Sequence, residues 1–208
     1  MKTLRILAML CATAAIFISC DAEKDYKYEL QETVWVSDEN EPKLPKYTEQ
    51  GYNTFGARFN REYFLSYRNG SQFPCLFSSK ENNKLEMTFN GHVSSKGMQL
   101  KIVFPCGQAI RSWKEMVALN GKTIDLTDPN VVVTTSYVDN YDNTSESYTI
   151  TPHNGSITFK KVNLLNIDGV VREAVVAGEF NFGYEYNGNR YIISSGRFDI
   201  GVDEDIFW

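Results

Sequence analysis

Histidine is almost missing from this chain. His92 and His153 are the only two in 208 residues, and each stands beside an Asn-Gly pair that reads as a solvent-facing turn. A zinc centre wants His, Cys or carboxylate ligands grouped at a spacing such as H-E-x-x-H, and the sequence has no such group. Basic charge is also scarce. The 21 Lys and Arg stand against 26 Asp and Glu, a formal charge of −5. With no Lys/Arg run, this balance argues against nucleic acid or anionic lipid headgroups as partners. There is no G-x-S-x-G elbow and no phosphate-cradling glycine loop, so no cofactor is implied. No apolar run reaches the about 20 residues that a membrane-spanning helix needs.

The longest such run, Ile6 to Ile18, lies near the N-terminus behind Lys2 and Arg5 and ends at Ser19-Cys20. A positive start, a short apolar stretch and a small residue before a cysteine are the parts of a lipoprotein export signal. Residues 1–19 are therefore expected to be a signal peptide and Cys20 the lipidated residue. Several acyl chains on Cys20 would hold the protein on a membrane where a single chain binds only marginally. Residues 20–30 read as a polar tether, and 31–208 as one domain of ordinary size.

Of the four cysteines, Cys11 falls in the leader and Cys20 takes the lipid. Cys75 and Cys106 remain, each in a Phe-Pro-Cys triplet (Phe73-Pro74-Cys75 and Phe104-Pro105-Cys106). In an oxidising compartment they are a candidate disulfide, worth roughly 3–4 kcal/mol by the chain-entropy argument. The alternative is two separate buried thiols.

The rest of the chain is rich in rings, with 13 Phe, 12 Tyr and 3 Trp, enough for a substantial core. Glu32 to Val36 reads as a first short strand, and Asp38 to Gln50, with Pro42 and Pro45, as an extended loop. Period-2 alternation then marks strand after strand. Leu85, Met87 and Phe89 form one buried set, and Met98, Leu100, Ile102 and Phe104 a second. Ile157 with Phe159 forms a third. From Gly178 to Tyr186 every second residue is aromatic, and Phe198, Ile200 and Val202 answer it across Asn187-Gly188. Asn-Gly recurs at 69–70, 90–91, 120–121 and 154–155, and Asp168-Gly169 is of the same kind, so an antiparallel meander is expected. Ser112-Trp113-Lys114-Glu115 matches a capping box for one short helix, with Met116, Val117 and Leu119 on its apolar side and Asn120-Gly121 at its end. The predicted fold is all-β, an antiparallel β-sandwich of about ten to twelve strands with one short helix, the alternative being a partly closed antiparallel β-barrel.

Several of these strands carry a resemblance. Asn53-Thr54-Phe55-Gly56-Ala57-Arg58-Phe59-Asn60, Gly155-Ser156-Ile157-Thr158, Gly178-Glu179-Phe180-Asn181-Phe182 and Gly196-Arg197-Phe198-Asp199 resemble the strand motifs of a family of small Bacteroidetes surface lipoproteins of unknown function. The resemblance covers roughly residues 53 to 200 and carries over no catalytic or binding residue. Asp21-Ala22-Glu23-Lys24-Asp25 likewise resembles the acidic start of such lipoproteins. It implies an outer-membrane, surface-exposed address; in enterobacteria the same Asp21 would imply retention at the inner membrane.

Polar positions give fewer leads. The loop Tyr137-Val138-Asp139-Asn140-Tyr141-Asp142 is the candidate binding loop, with Tyr137, Asp139, Tyr141 and Asp142 offering rings and oxygens. It lacks the glycine and distal glutamate of a calcium loop. Glu179, Glu185 and Asp199 are expected on a solvated polar face, and Trp35, Trp113 and Trp208 in the core. The function expected first is a membrane-anchored, non-catalytic module binding a glycan, a peptide or a partner protein. A carbohydrate-active hydrolase using paired carboxylates and a structural component of an outer-membrane complex or adhesin stand beside it.

Overall fold

The computed structural model describes residues 33–67, 73–139 and 144–208. The expected leader, Cys20 and the tether lie outside the described residues, as does the Asn69-Gly70 turn. Among the described residues eleven strands follow one another: β1 (Thr54–Phe59), β2 (Glu62–Ser66), β3 (Cys75–Lys80), β4 (Lys84–Val93), β5 (Lys96–Pro105), β6 (Thr123–Asp125), β7 (Val132–Asp139), β8 (Thr144–Ile150), β9 (Pro152–Ile167), β10 (Val170–Tyr186) and β11 (Asn189–Val202). All pair antiparallel, in the order β6-β9-β10-β11-β1-β2-β4-β5-β7-β8, with β3 beside β4. The path is open at β6 and β8, so the sheet does not close into a barrel. It doubles over on itself as a sandwich. Phe89 of β4 stacks on Phe180 of β10 at 4.9 Å and meets Phe198 of β11 at 5.7 Å, while Phe104 of β5 meets Phe159 of β9 at 5.6 Å. Each buried ring contributes roughly 2–3 kcal/mol by area, and each ring pair about 1 kcal/mol more.

The alternating sets fall as their periodicity predicts. Leu85, Met87, Phe89, Leu100, Ile102, Phe104, Phe180, Phe182, Tyr184 and Phe198 are all buried in one core. Asp168-Gly169 (φ 52° and 81°) and Asn187-Gly188 (φ 50° and 74°) make the two-residue hairpin turns on either side of β10. Asn90-Gly91 and Asn154-Gly155 do not turn the chain; they sit inside β4 and β9. Gly91 is there for close approach, since a methyl group on it would lie 2.2 Å from the Leu65 carbonyl oxygen. His92 and His153 are consequently strand residues, and His92 packs on Tyr67 with ring centroids 5.2 Å apart.

The expected strand at 32–36 is not formed over Thr33 to Val36, and Val34 and Val36 are exposed. The helix forms over Trp113–Leu119, but as a 3₁₀ helix, and the Ser112 side chain makes no cap bond. Glu115 instead accepts the Arg111 backbone N–H at 2.7 Å. Three residues per turn put Trp113, Met116 and Leu119 on one face, against the core. Val117, expected on that side, is therefore 40% exposed. At the other end of the chain, the 206–208 segment pairs in parallel with β3 through Phe77 and Ser79. Ile206 and Phe207 are buried there, but Trp208 is 69% exposed rather than in the core.

Cys75 and Cys106 are both free, buried thiols. The register of β4 explains why the candidate disulfide is not made. Cys75 lies opposite Phe89, whereas the backbone of Cys106 bonds to Asn83, just before β4 begins. Six residues of strand separate those two levels, about 20 Å at the usual rise. A disulfide requires Cα atoms within about 7 Å.

Candidate functional site

The outer face of β1, β10 and β11 is not open to solvent along its length, because segment 38–52 crosses it. The segment first folds on itself. Asp38 N–H donates to the Leu44 carbonyl at 3.0 Å, and Lys46 N–H to the Val36 carbonyl. Leu44 is then fully buried against β1. Gly56 of β1 makes the crossing feasible, since a methyl group there would come within 2.4 Å of Pro45 Cδ and 3.2 Å of Leu44.

Asp199 fastens the far end of the segment. Expected on a solvated face, it is 1% exposed. Its carboxylate accepts the backbone N–H groups of Gln50 (3.0 Å), Gly51 (2.8 Å) and Tyr52 (3.3 Å) and the Thr48 hydroxyl. The register explains the discrepancy. Asp199 does point away from Phe198 and Ile200, but into the covering segment rather than into water. Asn53, with φ of 54°, ends the segment and accepts the Gly201 N–H at 3.0 Å.

Glu173 of β10 lies under the same cover, 4% exposed, and its Oε1 has no hydrogen-bond partner among the described residues. Its carboxyl packs on Gly51 and Gly201. Burial, and then the neighbouring Asp203 and Asp199, push its pKa up to about 7.

Where the cover stops, a pocket of about 360 Å³ opens on the outer face of β10 and β11. A bulge in β11 shapes it. Phe180 pairs with Gly196 and Phe182 with Ile193, so Ser194 and Ser195 both face Asn181. Ser195 takes φ of 52°. Such a bulge bends a strand and re-aims its side chains. Ser195 and Arg197 line the pocket from β11, Glu179 and Asn181 from β10, and Asp38 and Tyr47 from the segment.

The charges here are matched. Arg197 Nη1 donates to Asp38 Oδ2 at 2.7 Å. Asp38 also accepts the N–H groups of Asn40 and Glu41, and these backbone bonds, with the guanidinium, hold its pKa below the ordinary value. Lys160 of β9 meets Glu179 at 2.6 Å, with its ammonium 5.2 Å from the Tyr47 ring centroid. The Tyr47 hydroxyl donates to Glu49 at 3.0 Å, and burial, with Glu49 next, raises its pKa. Behind Ser195, Glu41 accepts the Ser195 hydroxyl at 3.3 Å and pairs with Arg58 at 2.7 Å.

The sequence-predicted site is elsewhere. Tyr137 belongs to β7 and is half-buried, not displayed on a loop. It packs on Tyr148 at 6.2 Å, and burial followed by the Tyr148 hydroxyl raises its pKa. Tyr148 stacks on Tyr186 at 3.9 Å, and Tyr184 on Tyr191 at 5.0 Å, so these rings close one end of the core. The Asp139 side chain, Tyr141 and Asp142 lie outside the described residues. Glu179 and Glu185 do stand on the polar face, each ion-paired, Glu185 with Arg190 at 2.8 Å. Among the described residues no group of three His, Cys, Asp or Glu is placed to hold a metal ion.

Sequence reasoning missed Asp38, Tyr47, Asn181, Ser195 and Arg197. The usable signal is the outward register of Glu179, Asn181 and Arg197 on the hairpin around Asn187-Gly188. Nothing in that register says that a segment from the other end of the chain meets it. Comparison with protein-family models, with curated proteins and with solved structures finds no match for this chain.

Proposed function

We propose that the protein is a membrane-anchored surface lipoprotein whose β domain is a non-catalytic binding module, with the pocket over β10 and β11 as its seat. The observation that carries this reading is the pairing of every pocket carboxylate named above with a cation. Glycoside hydrolysis by two carboxyl groups needs one of them to hold a proton near neutral pH. Two backbone N–H groups, with Arg197, hold the Asp38 carboxyl below its ordinary pKa, and Glu179 is engaged by Lys160 at 2.6 Å. Glu173, the carboxyl with a raised pKa, is sealed under segment 48–52 and is not among the pocket residues. What remains is a concave, hydrogen-bonding surface on a rigid sheet, which suits recognition.

The anchor rests on the Lys2/Arg5, Ile6–Ile18 and Ser19-Cys20 pattern. Metabolic labelling with a fatty acid should mark the full-length chain, and Cys20→Ser should abolish the label; a labelled Cys20→Ser chain would remove the anchor from the proposal. For the module, glycan and peptide arrays probed with the purified full-length chain should return a ligand that Asn181→Ala and Tyr47→Ala weaken. Hydrolysis of an array glycan, lost in Glu179→Gln, would favour the hydrolase instead.

A further inference from the structure

Resting on that reading of the pocket, we infer its ligand class: a neutral, hydroxyl-rich ring, the unit of an uncharged oligosaccharide. Charge comes first. Each ionic group at the pocket wall has its opposite in contact, Asp38 with Arg197, Glu179 with Lys160, and Glu41 behind Ser195 with Arg58. A ligand with net charge would lose hydration and find no unmatched partner in return. A hydroxyl sheds less hydration and is met by both donors and acceptors. Arg197, with Nη1 on Asp38 and Nε on the Ser195 carbonyl, supplies its remaining N–H donors, and Glu179 supplies acceptors. The Ser195 hydroxyl, donating to Glu41, supplies its lone pairs, and Asn181 supplies both donors and an acceptor. Vicinal hydroxyls, each a donor and an acceptor, are matched to flat groups of this kind.

Shape agrees. The Tyr47 ring gives the pocket one aromatic wall beside the polar ones, suited to the apolar C–H face of a sugar ring. At about 360 Å³ the space is at the small end for ligand sites. An extended peptide fits less well. It would bind by adding a strand to a free edge, whereas β10 is paired on both sides by β9 and β11, and β11 by β10 and β1.

The test uses the full-length chain in detergent, with calorimetric titration of neutral hexose oligosaccharides beside uronate and amino-sugar oligomers of the same length. At least one neutral oligosaccharide should bind saturably, with an affinity that moves little between low and high salt. Asn181→Ala should weaken it roughly tenfold, the loss of a hydrogen bond in a polar site, without lowering the melting temperature. Glu179→Gln leaves Lys160 uncompensated and should shift preference towards the uronate, a change that mere loosening of the pocket would not produce. Stronger, steeply salt-dependent binding of a charged oligomer by the unmodified chain would overturn the neutral-ligand inference and leave the binding module standing. If no saccharide bound while a peptide did, and Asn181→Ala weakened that peptide, the ligand class would again be overturned and the module kept. Silence from all saccharides and peptides would bring down both.

Discussion

On the inner face of β10 and β11, Phe180, Phe182, Tyr184, Phe198 and Ile200 exclude water by filling space against the opposite layer. On the outer face of the same strands, Glu173 and Asp199 are buried almost as deeply, yet what covers them is a segment without regular structure, held by hydrogen bonds to one carboxylate. The inner face is redundant, because Phe180 touches two other rings and Phe198 three. The outer face is not: Thr48, Gln50, Gly51 and Tyr52 all converge on Asp199. That difference matters for function, since the segment carries Asp38 and Tyr47 into the pocket.

The sharpest way to break the comparison is to damage each face once. Phe180→Ala should cost about 3–5 kcal/mol by the usual cavity rule. Asp199→Ala leaves three backbone donors without their acceptor and should cost about 3–4 kcal/mol. The two losses should differ in kind. Urea melts of Phe180→Ala should show global destabilisation, with hydrogen exchange raised throughout. Asp199→Ala should in addition raise exchange at Gln50, Gly51 and Tyr52 before the rest of the domain opens. Protection retained at those three amides would mean that the segment is held without Asp199, by Leu44, Pro45 and the Asp38–Arg197 and Glu41–Arg58 pairs.

Next in size is the acid beneath the cover. Folding raises the pKa of Glu173 from an ordinary 4.5 to about 7, so between those values the folded chain binds a proton that the unfolded chain has given up. Stability from this residue is therefore fully present below about pH 4.5 and is lost as pH rises through about 7, by up to ~3 kcal/mol. Glu173→Gln carries no such proton. Its advantage over the unmodified chain should be small near pH 4.5, grow through pH 7 and level off above. A difference between the two chains that stayed flat from pH 5 to pH 8 would place the carboxyl in contact with water.

Gly56→Ala tests the cover from the opposite side. The added methyl meets Pro45 at 2.4 Å, and overpacking of this kind costs about 1–3 kcal/mol. The pocket should loosen with it, since Asp38 and Tyr47 flank Pro45 in sequence. Unchanged stability would show that segment 38–52 can lift away freely.

The two faces also differ in how readable they were. Aromatic residues at every second position from Phe180 to Tyr186 can be buried in only one way, so the inner face, the hairpin at Asn187-Gly188 and the all-β sandwich followed from periodicity. A polar residue at the alternate position looks the same whether water or another segment lies over it, so Asp199 read as solvated. The covering segment has no period of its own; Pro42 and Pro45 mark it as a loop, and Leu44 alone hints that it packs. Gly91 misled for a related reason. A glycine that permits close approach to Leu65 carries the same letters, Asn-Gly, as one that turns a chain.

The smallest effect belongs to the two cysteines, and it checks the register on which both faces depend. If β3 and β5 flank β4 as described, Cys75 and Cys106 stand about 20 Å apart along the strands and cannot bridge. Denaturation without reductant, followed by alkylation and peptide mass mapping, should find both alkylated and no Cys75–Cys106 cross-linked peptide. In the native chain both should react slowly below pH 9. Burial pushes the Cys75 thiol well above its ordinary pKa and that of Cys106 up to about 11, and the thiolate is the reactive form. Cys106, less deeply buried than Cys75, should react first. Substituting either with Ala should cost only about 1 kcal/mol, the loss of a small buried group with no bridge behind it. A loss of roughly 3 kcal/mol at both positions, removed by prior reduction, would instead mean a disulfide, and β3 or β5 would have to shift by six residues to accommodate it.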